Sequence, residues 1–360
     1  MGKTSGSALA DKYGDFLYPS MKVLAADREM PEKPFLYLES AEVTSTVGRE
    51  PDMAVLVYRV DAFPKGNLTA LEERVAVGQK MEVMAGYGNK LSRIFLGYLH
   101  EVEVSDFLQD YVEYTLICLD AKGLMKKNSV FQVSGSQKVQ QVLSDILSDK
   151  TYRFLVKDQK VSALPDSLNR DCVVKGQTHY DWLCSLADLL NYEFYCGRGE
   201  LCFRQAGQGS GELLELTAEY GLQAVRAVVS MAGQTGSVSF CGYNRKDEKV
   251  AGTAKWKPPG GAFAGKLEQS LSPFSMQVWD MGLETEEQAK ARAEAAMSRK
   301  RDQCSRLEAV NIGVPELSPG VSVMIVNERA DSLAGTMYVE EVIHQLDGTG
   351  YRTLLKGRRT

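Results

Sequence analysis

A twenty-residue phrase occurs twice in this chain of 360 residues. Laid without a gap on residues 97–116, residues 335–354 place Gly335, Glu341, Val342, Leu346, Thr353 and Leu354 on Gly97, Glu103, Val104, Leu108, Thr115 and Leu116. Composition alone would give roughly one or two such agreements, and self-similarity constrains a fold before any other signal. The lead-ins match as well. Val77-Gly78 precedes Met81 and Val83 much as Pro319-Gly320 precedes Val323 and Ile325. Alternating apolar residues after Gly320, a second run from Met337 to Leu346, the turn Gly348-Thr349-Gly350 and a return through Tyr351 predict a three-stranded meander. The chain therefore reads as two copies of one β module.

Between and around the copies the pattern changes. Residues 1–33 read as an irregular N-terminal arm, and 34–122 as the first β module. Residues 136–150 carry Val139, Val142, Leu143, Ile146 and Leu147 on one helical face, with Ser134 or Ser136 as cap. Residues 178–191 predict a second helix capped by Thr178, and 193–203 a hairpin around Gly197-Arg198-Gly199. Residues 123–205 are thus an α/β insert. The second module is expected from 206–243 and 305–360, interrupted by an extended loop over 244–283 and a helix from Thr285. That helix has a narrow alanine face, acidic residues at its start and basic residues at its end, which complements the helix dipole.

The chemistry-bearing residues are few. A net charge of −5 offers no basic face for nucleic acid. Seven cysteines without a CxxC pair point to buried reduced thiols in a chain folded in the cytoplasm. Neither a signal peptide nor a membrane-spanning run is visible. Of the three histidines, His100 and His344 fall in strands and read as structural. His179 and Cys184 share a helix five residues apart and so point to different sides. Gly2-Lys3-Thr4 lacks the first glycine and the preceding strand of a phosphate loop. No catalytic, cofactor or metal residues are assigned, and the pattern leans towards a structural role. A cell-wall hydrolase and a glycan- or receptor-binding β protein are the alternatives. The first would need a dyad, and the second a face of exposed aromatics.

The order of parts carries a resemblance. It closes on Leu317, Pro319, Gly320, Val323, Ile325, Gly335, Tyr338, Val339, Val342, His344, Leu346, Asp347, Gly350, Tyr351 and Thr353. Val139–Leu147 and Gly176–Leu183 stand where the middle segment belongs. This resembles the baseplate hub proteins of contractile injection systems: the phage late-control D family, the hub of myovirus tails and the N-terminal hub region of the type VI spike protein VgrG. The resemblance implies a mixed, mainly β fold with two tube-like β-barrel modules and an inserted α/β domain. It also implies a homotrimer whose six modules form a pseudo-six-fold ring. The implied partners are a tail tube protein on one side, a separate spike protein on the other, and further baseplate or tape-measure proteins. Gly78, Gly97, Val104, Thr115, Pro319, Gly320, Gly335, Tyr338, Val342, His344, Gly350, Tyr351 and Thr353 are the structural positions it marks. The chain would be made in the bacterial cytoplasm and then built into a phage tail, an R-type bacteriocin or a related particle. Because the sequence stops at Thr360, the spike is expected on another polypeptide.

Overall fold

The computed structural model describes residues 3–360 apart from 5, 65, 109, 131–137, 166–175, 210–212, 259–262 and 264. The chain opens with β1 (Lys3–Thr4), α1 (Gly6–Tyr13), β2 (Pro19–Ala25) and β3 (Arg28–Glu29). The first module continues with β4 (Leu36–Thr46), β5 (Met53–Asp61), α2 (Gly66–Glu72), β6 (Lys80–Tyr87), β7 (Lys90–Asp106) and β8 (Tyr111–Leu119). The α/β insert holds α3 (Ala121–Met125), β9 (Ser129–Val130), α4 (Val139–Leu147), β10 (Asp158–Val161), β11 (Gln177–Thr178), α5 (His179–Leu190), β12 (Tyr192–Gly197) and β13 (Glu200–Gln205). Then come β14 (Leu213–Leu216), β15 (Leu222–Val229), β16 (Ser237–Tyr243), β17 (Lys249–Lys255), α6 (Leu267–Leu271), β18 (Ser275–Trp279) and α7 (Glu286–Asp302). β19 (Ser305–Ile312), β20 (Ser322–Ile325), β21 (Gly335–Asp347) and β22 (Gly350–Arg359) close the chain.

The fold is mainly β and is built on one 14-stranded sheet. Its pairing repeats. In the first module the order is β4-β5-β8-β7-β6, and in the second β15-β19-β22-β21-β20, every neighbour antiparallel. β2 flanks β6 in antiparallel, whereas β14 flanks β20 in parallel. β-Bulges repeat too. β4 slips against β5 between Leu38 and Ser40, and β15 against β19 between Leu222 and Ala224. β7 slips against β8 between Leu99 and Glu101, and β21 against β22 between Val339 and Glu341. An extra residue interrupts a ladder only where the fold calls for a bend. Two matched pairs of bulges therefore set the equivalence of the modules.

That equivalence differs from the ungapped sequence match by two residues along β7 and β21. The bulges lay Val339 on Leu99, so Gly97 corresponds to Met337, whereas the sequence alignment laid it under Gly335. A shift of two keeps every side chain on its own face, which is why the similarity survives in the wrong register.

The two modules are joined edge to edge. β21 residues 341–346 pair antiparallel with β4 residues 46–41. One apolar core runs through both modules, with Leu36, Val43, Leu56, Val83, Leu116, Leu307, Val323, Val339 and Val342 fully buried. The α/β insert has a core of its own around Leu143, Leu183, Leu201 and Phe203.

Three expectations need correction. The N-terminal arm is ordered into the sheet: β2 pairs along its whole length with β6. Met21, Val23 and Ala25 alternate inward there, a period masked in the sequence by the preceding Tyr18-Pro19. Residues 244–283 hold β17, α6 and β18 where an extended loop was expected. β16, assigned above to the second module, is the central strand of a separate sheet between β17 and β18. The alanine face of α7 explains this. Ala293 and Met297 pack against Val238 and Ala254, so closely that a Cβ on Gly252 would lie 2.2 Å from Lys290 N. The expected caps Ser134 and Ser136 lie outside the described residues, while Thr178 caps α5 by accepting from Asp181 N–H at 3.0 Å.

Candidate functional site at the joint between insert and second module

Of the marked positions in the closing stretch, Gly320, Tyr338, His344 and Tyr351 gather where the insert meets the second module. Gly320 lies at φ +81°, a conformation glycine adopts without strain. Its carbonyl accepts from Arg204 Nη2 at 2.7 Å. A Cβ there would lie 2.3 Å from Tyr195 Oη. Tyr338, buried on β21, donates its hydroxyl to Glu193 Oε2 at 2.5 Å. Glu193 Oε1 accepts from Gly207 N–H at 3.0 Å. Burial pushes the Glu193 carboxyl up, against the downward pull of Tyr338, Gly207, Arg358 and Arg204. Arg358 lies over the Tyr338 ring, donates to Glu340 Oε1 at 2.6 Å and stands 3.5 Å from Asp302 at the end of α7. Insert, second module and α7 are thus tied through one largely buried network of hydrogen bonds and ion pairs.

A second knot lies along the same loop. Arg198, at the tip of the β12–β13 hairpin, donates to the carbonyls of Leu317 at 2.6 Å and of Pro315. His344 is 2% exposed. Its Nε2 faces the Leu317 carbonyl at 3.1 Å and must carry the proton, so Nδ1 accepts from the Tyr351 hydroxyl at 2.9 Å. Burial, with Arg198 nearby, lowers the imidazole to about 3, so it is neutral at physiological pH. Thr353 Oγ1 accepts from Val314 N–H at 3.0 Å. Val342 is fully buried, and Gly335 and Gly350 take positive φ at the ends of β21 and β22.

The first-module positions are simpler. Gly78 N–H donates to Leu99 O at 2.7 Å, as Gly320 N–H donates to Val339 O at 2.8 Å. Gly97 leaves room for the Leu119 carbonyl, which a Cβ would approach to 2.2 Å. Thr115 pairs between Val57 and Glu103. Val104 stands 57% exposed.

Sequence reasoning missed one cluster. Lys122, fully buried, sits 3.8 Å from Asp52 and 3.9 Å from Asp120, and donates to the Glu50 carbonyl at 2.6 Å. Burial raises both carboxyls against the pull of Lys122. The cluster pins the start of the insert to the β4–β5 turn. Lys122 follows a strand by three residues and carries no sequence signal of burial.

The residues weighed for catalysis do not meet. His179 Nδ1 stands 3.0 Å from Tyr152 Oη, and Cys184 is buried with its thiol pushed up by burial. His100 lies exposed on the β7 bulge, edge-on to Tyr98.

This two-module sheet with its α/β insert defines a fold of phage tail and type VI secretion proteins. It is similar to a tail protein from Neisseria meningitidis MC58, with a TM-score of 0.71, 13% identity, and 95% of this chain and 97% of that one covered. A 43 kDa tail protein of prophage MuSo2 from Shewanella oneidensis gives a TM-score of 0.69 at 14% identity, covering 95% and 98%. An E. coli type VI secretion component, described as structurally similar to T4 bacteriophage tail proteins, gives 0.60 at 11%, covering 94% and 77%. No curated protein matches the sequence. The chain belongs to the family described as the Alg8 N-terminal domain, whose model matches residues 20–348.

Proposed function

We propose that this chain is a structural baseplate hub of a contractile tail or related injection device. Three copies would close a ring of six modules that adapts a six-fold tail tube to a three-fold spike. The observation that carries this reading is the duplicated module, joined edge to edge through β4 and β21. A chain that pairs two equivalent modules in one sheet has the unit from which a ring with repeated contacts is made. Residues 34–122, extended by β2, and residues 206–229 with 305–360 are the ring modules. Residues 123–205 and 237–302 are the pieces hung from them. The marked glycines, Tyr338, His344 and Tyr351 act as scaffold, holding the insert against the second module, and no catalytic role is assigned.

Native mass measurement and electron microscopy of the chain, alone and with its tube and spike partners, test the reading. Trimers or rings support it, and a strict monomer under all those conditions overturns it.

One observation favours a second reading. Tyr243 and Trp279 stack at 6.1 Å and 20° on the small sheet, both exposed. Flat aromatic faces on the sheet that also carries the Ser239 and Thr253 hydroxyls suit a glycan. Glycan-array binding lost on Trp279→Ala would establish that reading.

A further inference from the structure

The joint between the modules is used once inside the chain, and its two halves are each present a second time without a strand partner among the described residues. By the matched bulges, β7 residues 101–106 correspond to β21 residues 341–346, and β15 with Ser230 supplies 225–230, which correspond to residues 41–46 of β4. Inside the chain, 341–346 pair with 46–41. Residues 101–106 pair on one side with β8, and 225–229 on one side with β19. Neither segment has a strand on its other edge among the described residues.

We infer that residues 101–106 of one copy pair antiparallel with residues 230–225 of the next, in the register of the internal joint. This rests on the hub reading above and specifies its contact. Burial supports it. Ala41, Val43 and Ser45 are buried in the internal joint, whereas their counterparts Val225, Ala227 and Val229 are only half-buried. Val342 and His344 are buried, whereas their counterparts Val102 and Val104 are half-buried and exposed. The large core is therefore open at these two rims, and Val102, Val225 and Ala227 already pack against it from the side. Charge agrees as well. The first edge carries Glu101, Glu103 and Asp106, while residues 222–230 hold Arg226 and no acidic residue. Arg226 pairs with Glu308 in its own chain at 3.1 Å, and in the inferred register it falls opposite Ser105 and diagonal to Glu103. Each copy would offer one edge and accept the other. Such a head-to-tail contact, repeated around a closed ring, fills both of these strand edges.

The register makes the test specific. Val47 N–H donates to Glu340 O at 2.9 Å, which makes 343 and 44 a non-hydrogen-bonded pair, the kind with the closest side chains. Its counterpart is Glu103 and Val228. The full chain carrying Glu103→Cys and Val228→Cys, oxidised in its assembled state, is expected to give covalent oligomers that neither single variant gives. Glu101→Cys with Arg226→Cys, four residues out of register, is expected to give none. Val104→Asp puts a charge on the rim that closes against the core. It should leave the isolated chain folded by circular dichroism and weaken association by roughly a hundredfold or more. Association without the in-register cross-link, or with equal cross-linking out of register, overturns the inferred ladder and leaves the hub reading standing. A chain that never associates, even with its partners, overturns both.

Discussion

Tyr338 donates its hydroxyl hydrogen to Glu193 across 2.5 Å and so bolts the second module to the α/β insert. Removing that donor leaves a buried carboxyl one partner short. Tyr338→Phe should therefore destabilise the chain by about 1–3 kcal/mol. Denaturant unfolding of Tyr338→Phe, Glu193→Gln and the double variant checks it. The double variant should cost clearly less than the two singles added together, because both act on one bond.

Gly320 and Gly78 occupy equivalent positions and should respond differently to alanine. Both have positive φ, which costs an L-residue about 1–2 kcal/mol. A Cβ on Gly78 meets nothing, whereas one on Gly320 strikes Tyr195 and Arg204. Gly78→Ala should cost the backbone term alone. Gly320→Ala should cost more, about 3 kcal/mol or above once the Arg204 bond is displaced. Equal thermal shifts for the two variants would contradict this account.

His344 should make stability fall in acid. Its folded pKa is about 3, against 6.5 when exposed. The unfolded chain therefore binds the extra proton between these values, and stability drops as pH falls from about 6.5 towards 3. Asp52 and Asp120 act in the opposite sense. Their raised carboxyls hold protons longer in the folded state, so their contribution is present at low pH and lost as pH rises past the usual carboxylate range. His344→Gln should flatten the acid limb, and Asp120→Asn should steepen it. Unfolding free energy measured from pH 4 to 7 distinguishes the two.

Lys122 is the cation between those two carboxyls. Lys122→Met would leave both without it, at a cost of about 3–5 kcal/mol. The companion Asp52→Asn in the Lys122→Met background should recover part of that loss, read by the same unfolding measurement.

Local pattern made much of the fold legible. α5 with its Thr178 cap, the β12–β13 hairpin and the β21–β22 hairpin lie where period and turn residues put them, because each is held by contacts close in sequence. The duplicated phrase was readable for the same reason, though its register was not. Only the bulges opposite Leu99–Glu101 and Val339–Glu341 set that, and a bulge belongs to two strands at once. β16 shows the limit. Ser237–Tyr243 reads as a strand from its own residues, but which sheet it joins depended on β17, β18 and the alanine face of α7.

Two like β modules around an α/β insert are legible in the residues alone, and Pro319-Gly320, Tyr338, His344 and Tyr351 fall in the stretch that closes the second of them. Tertiary structure alone decided what those residues touch. Glu193 and Arg204 lie more than a hundred residues before Tyr338 and Gly320, and Lys122 lies seventy residues after Asp52. Tertiary structure also decided which strand edges are filled, as with β4 against β21, and which have no strand beside them among the described residues, as at the rims of β7 and β15. Periodicity records which face of a strand is buried. It carries no information on which neighbour completes the ladder, because every backbone edge offers the same donors and acceptors.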